Sequence, residues 1–325
     1  MTRTAHASPA SDGLPGGTAA RFAAELERLW PEGGRLGLAV SGGPDSLALL
    51  LLAGQAIPGR FEVATVDHGL RAESADECAM VARACAERGI ACEILPVKVV
   101  DGNTQAAARE ARYAALSAWA GRRGLSAIAT AHHADDQAET LLMRLNRASG
   151  LAGLAGVRAR GTVPGGALPL LRPLLGWRRE ELAAIVAGAG LEPAHDPSNV
   201  DQSYDRARIR RALAQADWLD VAAVAASAAH LADADEAIDW IAGRDWALNV
   251  AEGDGEITYR CAVPRAVALR VVGRIVARFG GSARGAAVAR LVDELAAGRG
   301  GNVAGVAAKA ERGSWVFRLE PARRS

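Results

Sequence analysis

Short apolar runs alternate with longer helical patterns through the first two thirds of this chain. The apolar runs have the length and composition of strands, and they occupy residues 36–40, 61–66, 91–97 and 125–130. Apolar residues recur with helical spacing at residues 44–56, 74–89, 104–122 and 135–147. This alternation predicts an α/β fold, in which a Rossmann-like parallel sheet carries helices on both faces. Such sheets bind ligands at the carboxyl ends of their strands.

The alternation ends near residue 215, and the rest of the chain has another character. It is Ala-rich and helical, with strand-like pieces only near residues 256–261 and 314–319. Because 325 residues exceed the usual length of one domain, we expect two. The predicted organisation is a disordered lead-in over residues 1–18, an α/β domain over 19–215 and a smaller, mostly helical C-terminal domain over 216–325.

Charge is divided unevenly over the C-terminal part of the chain. Residues 215–259 carry ten carboxylates and one base, whereas residues 260–325 carry thirteen bases and four carboxylates. The two stretches can neutralise each other as solvated helix faces. Alternatively, the basic stretch forms a phosphate-binding surface on an appended domain. Both interpretations stay open at the level of sequence.

Neither the apolar runs nor the cysteines point to a membrane or to an oxidising compartment. The longest unbroken apolar run, residues 47–53, is much shorter than the ~20 residues that span a bilayer. Cys78, Cys85, Cys92 and Cys261 form no CxxC pair, so reduced thiols are the favoured interpretation. We therefore expect a soluble, cytoplasmic protein with no membrane partner.

A loop rich in glycine and serine follows the first predicted strand and opens the next helix. It consists of Ser41, Gly42, Gly43, Pro44, Asp45 and Ser46. The glycines let backbone amides approach an anion, and proline suits the first turn of a helix whose N-terminus attracts phosphate. The serine hydroxyls can donate hydrogen bonds to phosphate oxygens, and Asp45 can hold Mg²⁺ against them. The segment therefore predicts a site for nucleotide phosphates.

Two familiar nucleotide-binding motifs are absent from the sequence. A Walker A loop needs a lysine directly after its last glycine, but neither Lys98 nor Lys309, the only lysines, follows a glycine. The GxGxxG pattern of dinucleotide-binding folds is also missing after the first predicted strand. The loop therefore belongs to a different class of phosphate site.

The fourth predicted strand leads into a helix that begins with acidic residues. Asp136 and Glu139 are three residues apart, so both project from one face of the helix and form a paired-carboxylate pocket. Asp135 either caps the helix N-terminus or takes part in function. His132 and His133 precede the helix, and because HExxH spacing is missing, a polar strand end is favoured over a metal site.

Several of these segments resemble those of a known family. The loop at residues 41–46 resembles that of the PP-loop, or N-type ATP pyrophosphatase, superfamily. Other segments resemble the tRNA(Ile)-lysidine synthetase family and together cover roughly residues 35–215: VDHGLR at 66–71, NTQAAAREARY at 103–113, TAHHADDQAET at 130–140, and DPSN at 196–199 with Tyr204, Arg206, Arg208 and Arg210 after it. Ala148 and Ala207 depart from the family pattern, which usually has Gly and Asn at these positions.

The resemblance implies a ligase that uses ATP and Mg²⁺ to adenylate the wobble cytidine of tRNA(Ile) with a CAU anticodon and then joins free L-lysine to it. Residues 19–215 are then the PP-loop ATP pyrophosphatase catalytic domain, and a tRNA-binding role is implied for the C-terminal domain. The implied site residues are Asp45 for the metal ion, Asp67, His68 and His132 near the nucleotide or cytidine, and Arg109, Arg112, Asp136, Glu139 and Arg206 for catalysis. In this scheme Asp136 and Glu139 hold the lysine ammonium group.

Other classes of function fit the sequence less well. A tRNA thiolase generally carries paired or catalytic cysteines, whereas the nearest thiols here lie in an ordinary helical pattern. GMP synthetase and asparagine synthetase need a glutamine-hydrolysing domain, for which the chain has no room. A non-catalytic ATP-sensing module needs the phosphate loop but neither the DDQAET carboxylates nor the late arginines. The oligomeric state, including a homodimer, stays open.

Overall fold

The computed structural model describes residues 14–69, 73–97, 104–194, 205–283 and 285–320. By their internal contacts these residues divide into two compact units. The first unit contains the chain up to Ala148 together with Gly156–Ala229, and the second contains Ser149–Ala155 together with the chain from His230 onward. Each unit has a hydrophobic core of its own.

The first unit is built on a six-stranded sheet. Its strands are β1 (Leu36–Ala39), β2 (Phe61–Asp67), β3 (Cys92–Pro96), β4 (Ala127–Ala129), β5 (Arg160–Thr162) and β6 (Pro169–Leu171). Their order is β3-β2-β1-β4-β6-β5, and every pair is parallel except the edge pair of β5 and β6. The parallel sheet predicted from the alternating pattern is therefore confirmed.

Helices cover both faces of this sheet. They are α1 (Thr18–Leu29), α2 (Pro44–Ala56), α3 (Glu73–Ala86), α4 (Thr104–Arg123), α5 (Ala134–Leu145), α7 (Arg179–Gly188) and α8 (Asp205–Gln215), while the short α6 (Leu151–Leu154) groups with the second unit. Leu36 and Leu38 pack into one core with α1, α2 and α7. Ala64 and Ile128 pack on the other face, against α4.

Two local features of the sequence explain this packing. Residues 46–53 of α2 are buried on every side because the sheet, α1 and α7 all pack against the helix. On the opposite face, Gly37 of β1 lets the ring of Trp119 lie against the strand, since a Cβ at this position would meet that ring at 2.6 Å. A larger residue at position 37 would therefore push α4 away from the sheet.

The second unit combines helices with a small antiparallel sheet. Its strands are β7 (Val250–Gly253), β8 (Glu256–Tyr259), β9 (Gly300–Val303), β10 (Val306–Glu311) and β11 (Ser314–Leu319), in the order β7-β8-β11-β10-β9. Its helices are the larger part of α9 (Val221–Asn249), α10 (Arg265–Arg278) and α11 (Gly285–Ala296). Val271, Leu291 and Phe317 are buried together in its core.

Only β8 and β11 correspond to strand-like pieces recognised in the sequence. β9 reads Gly-Gly-Asn-Val and β10 is Ala-rich, and both compositions have weak strand propensity. They become strands through two hairpins whose central residues, Ala304-Gly305 and Arg312-Gly313, all have positive φ. Such two-residue turns usually read Asn-Gly or Asp-Gly, so the turn signal was also weak. The helical C-terminal region is confirmed, but its sheet is larger than predicted.

The acidic and basic stretches of the second unit pair with each other. Asp235 and Asp239 of α9 face α10, where Arg270 contacts both carboxylates. Arg274 of α10 binds Asp239 at 2.8 Å. These contacts support the interpretation that the two stretches neutralise each other.

No helix in the described part of the chain has both the length and the apolarity needed to cross a bilayer. All four cysteines are free thiols, of which Cys78 and Cys85 are buried and Cys92 and Cys261 are half-buried.

Candidate active site

Four neighbouring strands of the first unit end in polar residues. The phosphate loop follows β1, Asp67 ends β2, Thr130 follows β4 and Arg172 follows β6. The carboxyl ends of parallel strands meet at one edge of the sheet, where neighbouring strands are about 4.8 Å apart. Side chains from these ends can therefore contact one another.

The phosphate loop is held in shape by the hydroxyl of Ser46. This oxygen accepts a hydrogen bond from the Ser41 amide at 3.1 Å and donates one to the Gly43 carbonyl at 2.9 Å. The Ser41 hydroxyl lies 3.3 Å from the same oxygen. Gly43 is the N-cap of α2 and Pro44 is its first residue, and the Ser46 and Leu47 amides bond to the Gly43 carbonyl, so the positive end of the helix points at the loop. This arrangement suits a bound phosphate group.

Gly42 fixes the direction of the loop. Its φ of +88° lies in the left-handed region that favours glycine, and a Cβ at this position would meet the Met80 side chain at 3.0 Å. Its carbonyl accepts a hydrogen bond from the Ala194 amide at 3.0 Å. The loop is thus fixed by α3 on one side and by the segment after α7 on the other.

Asp45 lies in the first turn of α2 and faces the end of β4. Its Oδ2 is 3.3 Å from Nε2 of His133. Its Oδ1 is buried and has no hydrogen-bond partner among the described residues. Because a buried carboxylate oxygen without a partner is unfavourable, this atom is suited to bind a cation that arrives with a nucleotide.

His133 lies among three carboxylates and is only 1% exposed. In addition to Asp45, Asp135 lies 3.5 Å from its Nδ1 and Asp136 lies 3.6 Å from its Nε2. Burial opposes the charged form, but the contacts with Asp135, Asp45 and Asp136 outweigh burial and raise the pKa of His133 to about 9. The imidazole is therefore protonated at neutral pH and links the phosphate loop to α5.

This raised pKa predicts how stability depends on pH. Because the folded pKa of about 9 lies above the ordinary value of 6.5, the stabilisation is complete below pH 6.5 and is lost as the pH rises through 9. We expect the free energy of unfolding to fall by about 3 kcal/mol over this window. Urea denaturation at several pH values measures it. In a His133→Asn variant the curve should be flatter, and an equal pH dependence in both proteins would contradict the assignment.

His132 has different surroundings from its neighbour. Its Nδ1 lies 3.0 Å from the Thr130 hydroxyl. Burial lowers its pKa to about 4, with Arg172 and Arg206 adding to the effect of burial and Asp136 opposing it. His132 is therefore neutral at physiological pH. The sequence singled out His132 for the site, and it could not show that His133 occupies the carboxylate cluster.

Glu139 of α5 is buried against arginines. Its side chain is 1% exposed and accepts hydrogen bonds from Nε of Arg206 at 2.8 Å and from Nε of Arg210 at 2.7 Å. Arg179 of α7 contacts it at 3.4 Å. Glu139 therefore connects α5 to both α7 and α8.

Asp136 lies on the same face of α5 but is less enclosed. It accepts a hydrogen bond from the His133 amide at 3.1 Å and lies 3.5 Å from Nη2 of Arg206. The charges of His133 and Arg206 outweigh the effect of burial and lower its pKa. The predicted carboxylate pair is thus present, with one member enclosed by arginines and the other ionised beside His132 and His133.

Helix α4 carries two arginines beside the buried ring of Tyr113. The guanidinium carbons of Arg109 and Arg112 lie 4.9 and 5.2 Å from the ring centre. Arg112 also interacts electrostatically with His68 and His132. The arginine helix therefore faces the ends of β2 and β4.

Asp67 and His68 differ in how they are held. Asp67 accepts hydrogen bonds from the Ser74 hydroxyl at 2.7 Å and the Gly69 amide at 2.9 Å, and these bonds lower its pKa. Its carboxylate is therefore committed to the turn after β2. Burial and the charge of Arg112 lower the pKa of His68, whose Nδ1 has no hydrogen-bond partner among the described residues.

Arg172 is a residue of this region that the sequence did not reveal. It directly follows β6, is 8% exposed and donates a hydrogen bond to the Arg158 carbonyl at 2.6 Å. It interacts electrostatically with Arg109 and His132. The only available signal was an arginine after the apolar residues 168–171, a run too short to be recognised as a strand.

Some residues of the family-like segments lie outside the part of the chain that the structure describes. They are Leu70, Arg71, Asn103, Asp196, Pro197, Ser198, Asn199 and Tyr204.

Ala148, one of the two departures from the family pattern, is strained. Its φ of 49° lies in the left-handed region, which explains why glycine is usual there. We expect Ala148→Gly to raise the free energy of unfolding by about 0.5 to 1 kcal/mol, as measured by urea denaturation. As a control, Ala138→Gly inside α5 should lower it by about 1 kcal/mol. Destabilisation by both changes would contradict strain at residue 148.

Comparison with known proteins identifies the family to which this chain is similar. A family model described as a PP-loop domain matches residues 18–217. A tRNA(Ile)-lysidine synthase of Novosphingobium aromaticivorans is 52% identical over 95% of this chain and 96% of its own length. A tRNA(Ile)-lysidine synthase of Zymomonas mobilis is 43% identical over 83% of this chain and 84% of its own length.

A solved structure shares the fold at much lower identity. It is a U34-tRNA thiolase from Methanococcus maripaludis, 15% identical, with a TM-score of 0.54 over 66% of this chain and 77% of the other. That similarity concerns the fold alone, whereas the curated relatives match at high identity. Because the chain is 52% identical to one such relative over 95% of its length, it belongs to the tRNA(Ile)-lysidine synthase family of PP-loop proteins.

Proposed function

We propose that this protein is an ATP-dependent ligase that joins free L-lysine to the wobble cytidine of tRNA(Ile) with a CAU anticodon, releasing AMP and diphosphate. One observation carries the proposal. The buried, protonated His133 links Asp45 of the phosphate loop to Asp136 of α5, so the place for a nucleotide adjoins a cluster of carboxylates and arginines. A module that only senses ATP has no need of this second cluster.

The first half of the site fits a nucleotide with a magnesium ion. Asp45 supplies a buried oxygen without a partner among the described residues, and Ser41 and Ser46 supply hydroxyls beside the N-terminus of α2. Asp45 would therefore hold the ion, and the loop would bind the β- and γ-phosphates. When bound, Mg²⁺ supplies charge that neutralises the pyrophosphate leaving group.

The second half of the site supplies the remaining roles. Oxygen O2 of the cytidine attacks the α-phosphorus, and the bond to pyrophosphate breaks. Arg206, Arg109 and Arg112 are the cations that can stabilise the charge developing on the phosphate oxygens. The amine of lysine then attacks the activated ring carbon, forms the carbon–nitrogen bond and displaces AMP.

The two carboxylates of α5 take different tasks in this proposal. Asp136 is ionised and only partly enclosed, so it can receive the ammonium group of lysine directly. Glu139 already binds Arg206 and Arg210, so it positions those arginines and adds negative charge behind them. Lysine carries a second amine, which stays free to attack.

We also propose that the C-terminal unit binds tRNA and that its basic helix α10 stabilises the fold of this unit. Arg270 lies between Asp235 and Asp239, so Arg270→Glu should lower the free energy of unfolding of this unit by about 2 kcal/mol. Arg290→Glu on the exposed face of α11 is the matched control and should have little effect. Urea denaturation measures both.

The same variants test whether α10 contacts RNA. If Arg270 binds a phosphate, its reversal should lower the salt slope of tRNA affinity by about one unit. We expect the slope of folded Arg270→Glu protein to stay unchanged. A lower slope would show that this arginine contacts tRNA.

One assay tests the function as a whole. The protein is given ATP, labelled lysine and unmodified tRNA(Ile) with a CAU anticodon, and each component is omitted in turn. We expect label in the tRNA only when all are present, together with equal amounts of AMP and pyrophosphate. Pyrophosphate release without incorporation of lysine would point to another modification of an adenylated base. The expected location of the reaction is the cytoplasm.

A further inference from the structure

A buried group of polar side chains lies beside the carboxylates of α5, and the reaction described above does not use all of it. Arg172 is at its centre, directly after β6, with 8% of its surface exposed. The buried Tyr113, together with Arg109, lies on the α4 side. His132, at the end of β4, interacts electrostatically with Arg172.

This group lacks an anion. Nε of Arg172 and the hydroxyl of Tyr113 are buried without a hydrogen-bond partner of good geometry among the described residues, although the two side chains interact with each other. Within the same residues, the hydrogen bond from Arg172 goes to a neutral carbonyl, and no carboxylate forms an ion pair with it. Burial and the nearby Arg109 lower its pKa, yet a guanidinium stays charged at physiological pH. A buried charge without a counter-ion is unfavourable, so this group is suited to bind an anionic ligand.

The strand order indicates which anion this is. Thr130 donates a backbone hydrogen bond to the Leu171 carbonyl, so Arg172 begins directly beside the end of β4. The phosphate loop follows β1, on the other side of β4. At about 4.8 Å per strand, the loop backbone is about 10 Å away, which favours a second anion over the phosphates bound by the loop.

The charged groups near His132 indicate which kind of ligand would bind there. This neutral imidazole interacts with the negative Asp136 and with the positive Arg172. A carboxylate and a guanidinium that both interact with one small neutral group suit a ligand that carries an ammonium and a carboxylate on the same carbon. A free amino acid has this arrangement.

We propose that Arg172, supported by the Tyr113 hydroxyl, forms an oxyanion subsite that binds the carboxylate of the amino-acid substrate, while Asp136 binds its α-ammonium group. The guanidinium presents parallel N–H donors that match a carboxylate in two-point contact. The inference rests on the proposed function, because it takes lysine as the substrate. It adds that the enzyme recognises lysine by its carboxylate group as well as by its ammonium group.

The test compares lysine with lysinamide, in which a neutral amide replaces the carboxylate. With the wild-type protein, ATP and tRNA(Ile), we expect kcat/KM for lysine to exceed that for lysinamide by about 30-fold or more. In Arg172→Gln, kcat/KM for lysine should fall to the lysinamide level, while that for lysinamide changes less than about 3-fold. Tyr113→Phe, which removes only a hydroxyl, should lower the preference for lysine in the same direction.

The outcomes separate the subsite from the proposed function. No incorporation of lysine by the wild-type protein overturns the function before any variant is used. Equal use of lysine and lysinamide by an active wild-type protein overturns the subsite, even if Arg172→Gln does not fold. An equal loss for both amines, with slower pyrophosphate release in the absence of lysine, assigns Arg172 to a phosphate and also overturns the carboxylate assignment.

Discussion

Asp45→Asn is expected to slow tRNA-dependent pyrophosphate release by about 1000-fold and to leave the protein folded. The substitution removes the negative charge that the proposed magnesium ion needs, and losing one preorganised charge contact at a reacting phosphate typically has an effect of this size. The fold should persist because His133 keeps Asp135 and Asp136 as partners. Pyrophosphate release at saturating ATP measures the rate, and circular dichroism checks the fold.

A matched control for this substitution exists in the same unit. Glu180 is also an acidic residue in the first turn of a helix, α7, but it is exposed. Glu180→Gln therefore repeats the change from carboxylate to amide without touching the phosphate loop, and it should leave the rate within about 2-fold. Normal turnover by folded Asp45→Asn protein would contradict the proposal that ATP binds at this loop.

Glu139→Gln is expected to lower the free energy of unfolding by about 3 kcal/mol and to reduce lysine incorporation strongly in the protein that remains folded. The substitution leaves Arg206, Arg210 and Arg179 around a neutral amide. Since these arginines are about a third exposed, we take the lower end of the range for a broken buried ion pair. Urea denaturation and the labelled-lysine assay measure the two effects.

Two further variants separate positioning from direct binding. Glu62, at the amino end of β2, is also buried and binds Arg35 and Arg123, so Glu62→Gln should destabilise the fold without changing the KM for lysine. Asp136→Asn should raise the KM for lysine with a smaller effect on stability. If Asp136→Asn instead abolishes ATP binding and keeps a normal KM for lysine, this carboxylate belongs to the metal site.

The sheet could be predicted from the sequence because its central strands are long enough to show their pattern. β1, β2 and β3 and the helices after them lie within a few residues of the predicted ranges. β5 and β6 have three residues each and do not show a pattern of their own. β6 joins the sheet by pairing with β4, a partner distant in sequence, and β5 pairs with β6, so local pattern alone does not reveal their place in the sheet.

The parts of the site that lie in one continuous segment could be predicted from the sequence. The parts that depend on residues far apart along the chain could not. The phosphate loop and the first turn of α5 are continuous segments, and each lies where the sequence placed it. That Glu139 is enclosed by arginines depends on α7 and α8, which fold back onto α5 from far along the chain. The charge on His133 likewise depends on Asp45, which comes from another strand end.

The pairing of Glu139 with Arg210 also has a consequence for the order of events during synthesis on the ribosome. Seventy-one positions separate the two residues. At a typical elongation rate of 5–20 residues per second, roughly 4 to 14 s pass after Glu139 is added before Arg210 follows it. During that interval the nascent chain adds Ala194, whose amide bonds to the phosphate loop, before it adds Arg206 and Arg210, which bind Glu139. The growing chain should therefore acquire the capacity to hold a nucleotide before it acquires a finished reaction centre.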